Sequence, residues 1–154
     1  MSMDIEYFKN RKSGAEEVYN RQKTIFNPYL NSQVVLNSDG FHHLQFSDRR
    51  ERSKEEQALK FNLLPLALGI IKKSGTLQEY RKEPIRIGRP SKDGLSLTKI
   101  AEYFGFVAIV GEKKIKIRVI VRRIGDGNFT FWSVMPDSKL RGGQKLYDIG
   151  IEDA

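Results

Sequence analysis

The segment from Lys114 to Arg123, KIKIRVIVRR, constrains this chain more than any other stretch. Ile115, Ile117, Val119 and Val121 alternate with Lys114, Lys116, Arg118 and Arg122, and Ile120 alone interrupts the cationic series. A period of two becomes one apolar face and one cationic face only on a β-strand. The strand needs partners, and residues 106–110 and 129–135 supply them, joined to it by the turn residues Gly111-Glu112-Lys113 and by Gly125-Asp126-Gly127-Asn128. An antiparallel meander is expected.

Turn length decides what accompanies the cations. A two-residue loop at Asp126-Gly127, or a four-residue loop over 125–128, sets Arg122 opposite Phe131, Ile120 opposite Ser133 and Arg118 opposite Met135. Phe131 and Ser133 then share the cationic face, whereas Trp132 and Val134 join the aliphatic one. A three-residue loop reverses the parity and sets Trp132 beside the arginines.

The aliphatic face needs a cover. Ser53 followed by Glu56 is a capping-box pattern, and Leu59, Leu63, Leu66, Ala67, Ile70 and Ile71 recur at helical spacing behind it. A central helix is predicted to start near Ser53, kink or restart at Pro65 and end at Ser74-Gly75. Before it, the sequence reads as a mobile first dozen residues, a short helix over 14–23, a β-prone run at 34–36, a turn over 37–40 and a strand over 41–46. After it come an exposed basic segment over 77–95 with a strand at 85–87, and a helix over 97–104 capped by Ser96 and ended by Gly105. An edge strand is expected at 145–149. The architecture is thus α+β, a single domain with N-terminal helices packed on a C-terminal antiparallel meander. Residues 1–30 form a helical extension and 31–154 the domain with the basic sheet face.

A chain of 154 residues supports one hydrophobic core. It has no cysteine, which excludes a disulfide framework and a thiolate zinc site and points to a reducing, cytoplasmic setting. The longest apolar run, 63–71, is far short of a membrane span, so no membrane partner is expected. No spaced metal-ligand cluster or phosphate-binding loop occurs, and no metal or cofactor is expected. The formal net charge of +8 favours an anionic partner.

The distribution of that charge points to a phosphate polymer, with RNA, tRNA included, as the expected partner. Lys114 and Lys116 on the strand, with Arg86 and Arg89 of the 77–95 segment, suit phosphate contacts, while Phe131 or Trp132 suits stacking on an unpaired base. His42 and His43 are adjacent, so on a strand they face opposite ways. Leu44 and Phe46 place His42 inward and leave His43 outward with Gln45. RNA can be cut without a metal when one group takes the 2′-OH proton, another protonates the leaving oxygen and a cation stabilises the phosphorane. His43, Arg118, Arg122 and Ser133 supply that set.

The order of these parts also resembles a family. A histidine in Gly40-Phe-His-His-Leu, a long helix opening on Arg-Ser-Lys-Glu-Glu-Gln and a basic meander ending Phe-Trp-Ser-Val-Met-Pro look like the barnase/EndoU/colicin/RelE-like ribonuclease toxins, phage-associated members included. The similarity spans residues 34–137. It implies metal-independent RNA cleavage on a concave sheet, with His43 as acid or base, Arg118 and Arg122 on phosphate, and Ser133 or Trp132 orienting substrate. For such a toxin an acidic inhibitor or immunity protein is the expected second partner. EndoU-type members use two separated histidines and a lysine, whereas this chain has one adjacent pair. The alternatives are a non-catalytic nucleic-acid-binding protein, of phage or regulatory kind, and a protein-interaction module with a basic docking face.

Overall fold

The computed structural model describes residues 4–137 apart from 48, 49, 89, 93, 96 and 113. In chain order the elements are α1 (Ile5–Arg21), β1 (Thr24–Asn27), β2 (Ser32–Val35), α2 (Ser38–Gln45), α3 (Lys54–Lys73), β3 (Glu79–Ile87), β4 (Leu97–Val110), β5 (Ile115–Ile124) and β6 (Phe129–Pro136). The strands form one sheet in the order β1-β2-β6-β5-β4-β3. All neighbours are antiparallel except β2 and β6, which pair in parallel through Val34 with Phe129 and Val35 with Thr130. The fold is α+β.

The alternation on β5 does what its period requires. Ile117, Val119 and Val121 enter the main core with Phe106, Phe131 and Val134, while Ile115 at the strand's start stays 43% exposed. Helix α3 covers this face. Ser53 caps it, its Oγ accepting from the Glu56 backbone N–H at 3.1 Å, and the helix continues through Pro65 to Lys73 without a break. Its buried stripe runs through Gln57, Lys60, Phe61, Leu64, Ala67, Leu68 and Ile71. Leu59 and Leu66 therefore point outward, contrary to the apolar spacing read from the sequence. Asn27 ties the sheet to the end of α3, its side-chain amide donating to the Ile71 and Ser74 carbonyls at 2.8 and 3.2 Å.

Three expectations are overturned and a fourth is extended. Helix α1 begins at Ile5, capped by Asp4, so only Met1 to Met3 of the supposed mobile dozen precede it outside the described residues with nothing but the cap between. Ala15 and Tyr19 of α1 and Ile25 of β1 belong to the main core, and Phe8 packs on Phe61, so residues 5–27 are built into the fold. Residues 38–45 form a helix rather than a turn and strand: the Asn37 side chain accepts from the Gly40 N–H at 3.0 Å, and the same chemistry serves a turn or an N-cap. The basic segment does carry a strand at 85–87, but that strand, β3, begins earlier, at Glu79, and lies exposed at the sheet edge. Residues 97–104 are the first half of β4, not a helix, because ladders with β3 and β5 override the local helical reading. Gly105 marks a close approach rather than a helix end, since a Cβ there would lie 3.2 Å from that of Glu79. Ser96, Arg89 and the edge strand expected at 145–149 lie outside the described residues.

Candidate nucleic-acid interface

The sheet face opposite α3 carries the cationic series of β5, and a register shift decides its neighbours. Ile120 pairs with Ser133 and Arg118 with Met135 as expected, but a bulge between Ile120 and Val121 then sets Val121 opposite Phe131 and Arg122 opposite Thr130. A bulge adds one residue to one strand and so reverses the facing beyond it. Phe131 is consequently fully buried in the main core, not beside the cations. Trp132 takes the cationic side, in a second cluster with Ala101, Tyr103, Ile120 and Met135. The sequence reading assigned these two aromatics the wrong way round under its preferred loop, and a bulge produced the parity that an odd loop would have given.

Helix α2 brings the histidines to the same place. It packs along β6, and Gly40 permits the approach, since a Cβ there would fall 2.1 Å from the Phe131 carbonyl oxygen. Neighbouring residues on a helix are separated by about 100°, not the half-turn of a strand. His43 is consequently the buried one, 2% exposed, and His42 is exposed, the reverse of the expected assignment. The His43 ring stacks on Trp132 at 4.0 Å between centroids. Arg52 donates to His43 Nε2 at 3.1 Å and, through Nε, to the His43 carbonyl at 2.9 Å. A guanidinium has only donors, so Nε2 accepts and the ring proton sits on Nδ1. Arg52 in turn pairs with Glu56 at 2.7 Å. This network holds His43 in place as a structural group.

The other predicted site residues separate into distinct environments. Arg118 is buried between two carboxylates, Glu79, which takes a short contact from Nη1, and Asp137, 3.2 Å from Nη2. Lys116 is exposed and also reaches Asp137, at 3.3 Å. Lys114 is exposed in the preceding turn with φ of 53°, and Arg86 is exposed on β3. Ser133 is fully buried and accepts from Lys60 Nζ at 3.2 Å. Arg122 differs from all of these. Its guanidinium carbon lies 3.6 Å from the Trp132 ring centroid, and its buried Nε has no hydrogen-bond partner. No carboxylate among the described residues pairs with it.

Arg122 and Trp132 line a pocket of about 170 Å³ with Asp39, His42, His43, Phe46 and Ser47. His42 stacks on Phe46 at 4.5 Å, forming an aromatic wall beside the arginine. The pocket thus joins a cation with no ion-pair partner among the described residues, the Asp39 carboxylate, an accessible imidazole and a flat aromatic surface. Of the predicted set, the pocket brings together His43 and Arg122, whereas Ser133 is buried against Lys60 and Arg118 lies between two carboxylates.

Lys60 escaped the sequence reading. It is buried on α3, donates to the Val134 carbonyl at 2.9 Å as well as to Ser133, and its ammonium is pushed down to about 7 by burial, with Arg52 adding to the effect and Glu56 opposing it. A signal was present, since Lys60 falls on the same helical stripe as Gln57, Leu64, Ala67 and Ile71. Among the described residues no group of three or more His, Asp or Glu could hold a metal ion, and no helix is long and apolar enough to cross a membrane. Comparison with protein-family models, curated proteins and solved structures returns no match for this chain.

Proposed function

We propose that this protein binds RNA, with a phosphate seated on Arg122 and a base against the His42–Phe46 wall. The observation that carries the reading is the state of Arg122: a guanidinium held flat on Trp132, partly withdrawn from water, with no carboxylate partner among the described residues. A desolvated cation without a counter-charge is costly, and a phosphate oxygen offsets that cost through charge-assisted hydrogen bonds. Stacking of an unpaired base supplies affinity that depends little on sequence. The net charge of +8 adds a long-range attraction. Titration of a labelled single-stranded RNA at several salt concentrations tests this. Arg122→Ala should weaken binding about tenfold and flatten the salt dependence, and an unchanged affinity would remove the basis for the assignment.

A second reading is RNA cleavage, toxin-like and metal-independent, by 2′-OH transesterification. One observation favours it: His42, exposed, lines the same pocket as Arg122. The proton carrier is then His42 in place of His43. Incubation of total RNA with the protein in EDTA separates the readings, because cleavage leaves 2′,3′-cyclic phosphate ends. Intact RNA with salt-sensitive binding identifies a binding protein.

A further inference from the structure

Strand β4 is longer than its inner neighbour. It runs from Leu97 to Val110, but β5 pairs with it only from Ala101, opposite Ile124, onward. Residues 97–100 pair with β3 alone, from Pro84 opposite Ile100 to Ile87 opposite Leu97. The Gly125 N–H donates to the Ile100 carbonyl at 2.8 Å and fixes the base of this extension. Beyond that bond a two-stranded arm leaves the sheet. Three residue pairs beyond it at about 3.4 Å each make it about 10 Å long before its loop.

The arm's surface is cationic and apolar together. Arg86 on β3 and Lys99 on β4 are exposed and lie on opposite faces of the ribbon, since Arg86 is opposite Thr98 and Lys99 opposite Ile85. Lys92 adds an exposed charge in the loop. Among the described residues no carboxylate pairs with any of the three. Leu95, Leu97 and Ile100 are 69%, 63% and 48% exposed around them.

We propose that this arm is a binding site for B-form duplex DNA, inserted as a two-stranded ribbon into the major groove. The length decides first, because about 10 Å exceeds the groove depth of about 8.5 Å. The width decides between grooves: a major groove about 12 Å across admits a two-stranded ribbon, whereas a minor groove about 6 Å across does not without deformation. The major groove of A-form RNA is too deep and narrow to enter, so a ribbon of this kind selects DNA over RNA duplexes. Inside the groove, one cation from each strand reaches one phosphate backbone each, and Leu97, at the end of the ribbon, meets thymine methyl groups. This site is separate from the Arg122 pocket and does not rest on it.

Fluorescence anisotropy with a labelled 20-bp DNA duplex, an RNA duplex of the same sequence and a single-stranded RNA tests the proposal. The wild-type protein should bind the DNA duplex at least tenfold more tightly than the RNA duplex. Arg86→Glu/Lys99→Glu should weaken DNA binding by tenfold or more, and Arg86→Ala/Lys99→Ala should lower the slope of log affinity against log salt by about 2, one phosphate for each cation. Leu97→Ser should reduce affinity severalfold at unchanged slope. All these positions are exposed, and an unchanged melting temperature confirms folding. Arg122→Ala should leave duplex DNA binding intact, so failure at the pocket and failure at the arm give different patterns. Tighter binding to the RNA duplex, or DNA affinity within twofold of wild type in both cation variants, would overturn the assignment.

Discussion

Arg118 and Arg122 occupy the same strand four residues apart and belong to one alternating series, yet they are opposite kinds of cation. Arg118 lies between Glu79 and Asp137, with its charge cancelled locally. Arg122 lies on Trp132 with no counter-charge among the described residues. The two share a sequence pattern and differ in what the neighbouring strands bring beside them. β3 contributes Glu79 and the end of β6 leads into Asp137 on one side, while a bulge turns Trp132 toward the other. The lesson is physical: alternation assigns a side chain to a face, and only the partners on that face decide whether a cation is structural or available to a ligand.

The comparison breaks most violently at Arg118. Arg118→Ala leaves a largely buried Asp137 with only the exposed Lys116 beside it and Glu79 with only Arg81, and loss of one partner from a buried pair costs about 3 to 5 kcal/mol. Urea unfolding should show that loss, while Arg122→Ala should change stability by less than about 1 kcal/mol. Equal costs at the two positions would mean that Arg122 also has a structural counter-charge.

Lys60 sharpens the contrast by adding a third case, a cation buried without full compensation that gives up its proton instead. Its ammonium is lowered from 10.5 to about 7, so between those pH values the unfolded chain binds more protons than the folded one. Stability then rises with pH across that window, with the whole penalty present below pH 7 and none above 10.5. From pH 6 to pH 9 the gain should be about 2 to 4 kcal/mol. Lys60→Met should abolish the slope and stabilise the protein at pH 6. A slope that persists in the variant would locate the titration elsewhere.

Much of the fold was legible because hydrophobic periodicity is a local signal. The alternation of β5, the turns that frame it and the Ser53 cap each specify an element from a few residues. What was lost came from non-local decisions. Residues 97–104 have helical spacing, but two flanking strands claim them. Asn37-Ser38-Asp39-Gly40 fits a turn or a helix start, and packing of Gly40 on Phe131 selects the helix. The bulge at β6 has no signature in the sequence, and it alone exchanged Phe131 for Trp132. The site suffered most, because facing depends on an element's type, and one mistaken strand inverted both histidines. Arg122 was identified from its face, whereas its lack of an ion-pair partner among the described residues is visible only with the neighbouring strands in place.

Gly40 tests whether that helix placement supports the Arg122 pocket. A methyl group at position 40 would press on the Phe131 carbonyl oxygen and the Tyr19 hydroxyl, so Gly40→Ala should cost about 1 to 3 kcal/mol as α2 moves off β6. Trp132 is the only tryptophan, and its fluorescence reports the stacked His43 and Arg122 directly. A changed emission in the folded variant, with weaker RNA binding, would show that α2 positions the pocket.

The smallest effect on stability and the sharpest on function is expected from the histidine pair. His42→Ala removes an exposed ring and should leave the melting temperature within a few degrees of wild type. His43→Ala removes a ring stacked on Trp132 and one of the acceptors of Arg52, so it should destabilise by about 1 to 3 kcal/mol. If RNA is cut, His42→Ala should lower the rate by about 10² to 10⁴ with affinity changed only by the lost stacking, because proton transfer is felt mainly in the transition state. If RNA is only held, His42→Ala should weaken binding severalfold and nothing else. Cleavage that survives His42→Ala but is lost in a folded His43→Ala protein would mean that α2 reorients on RNA, exposing the buried ring and returning the chemistry to His43.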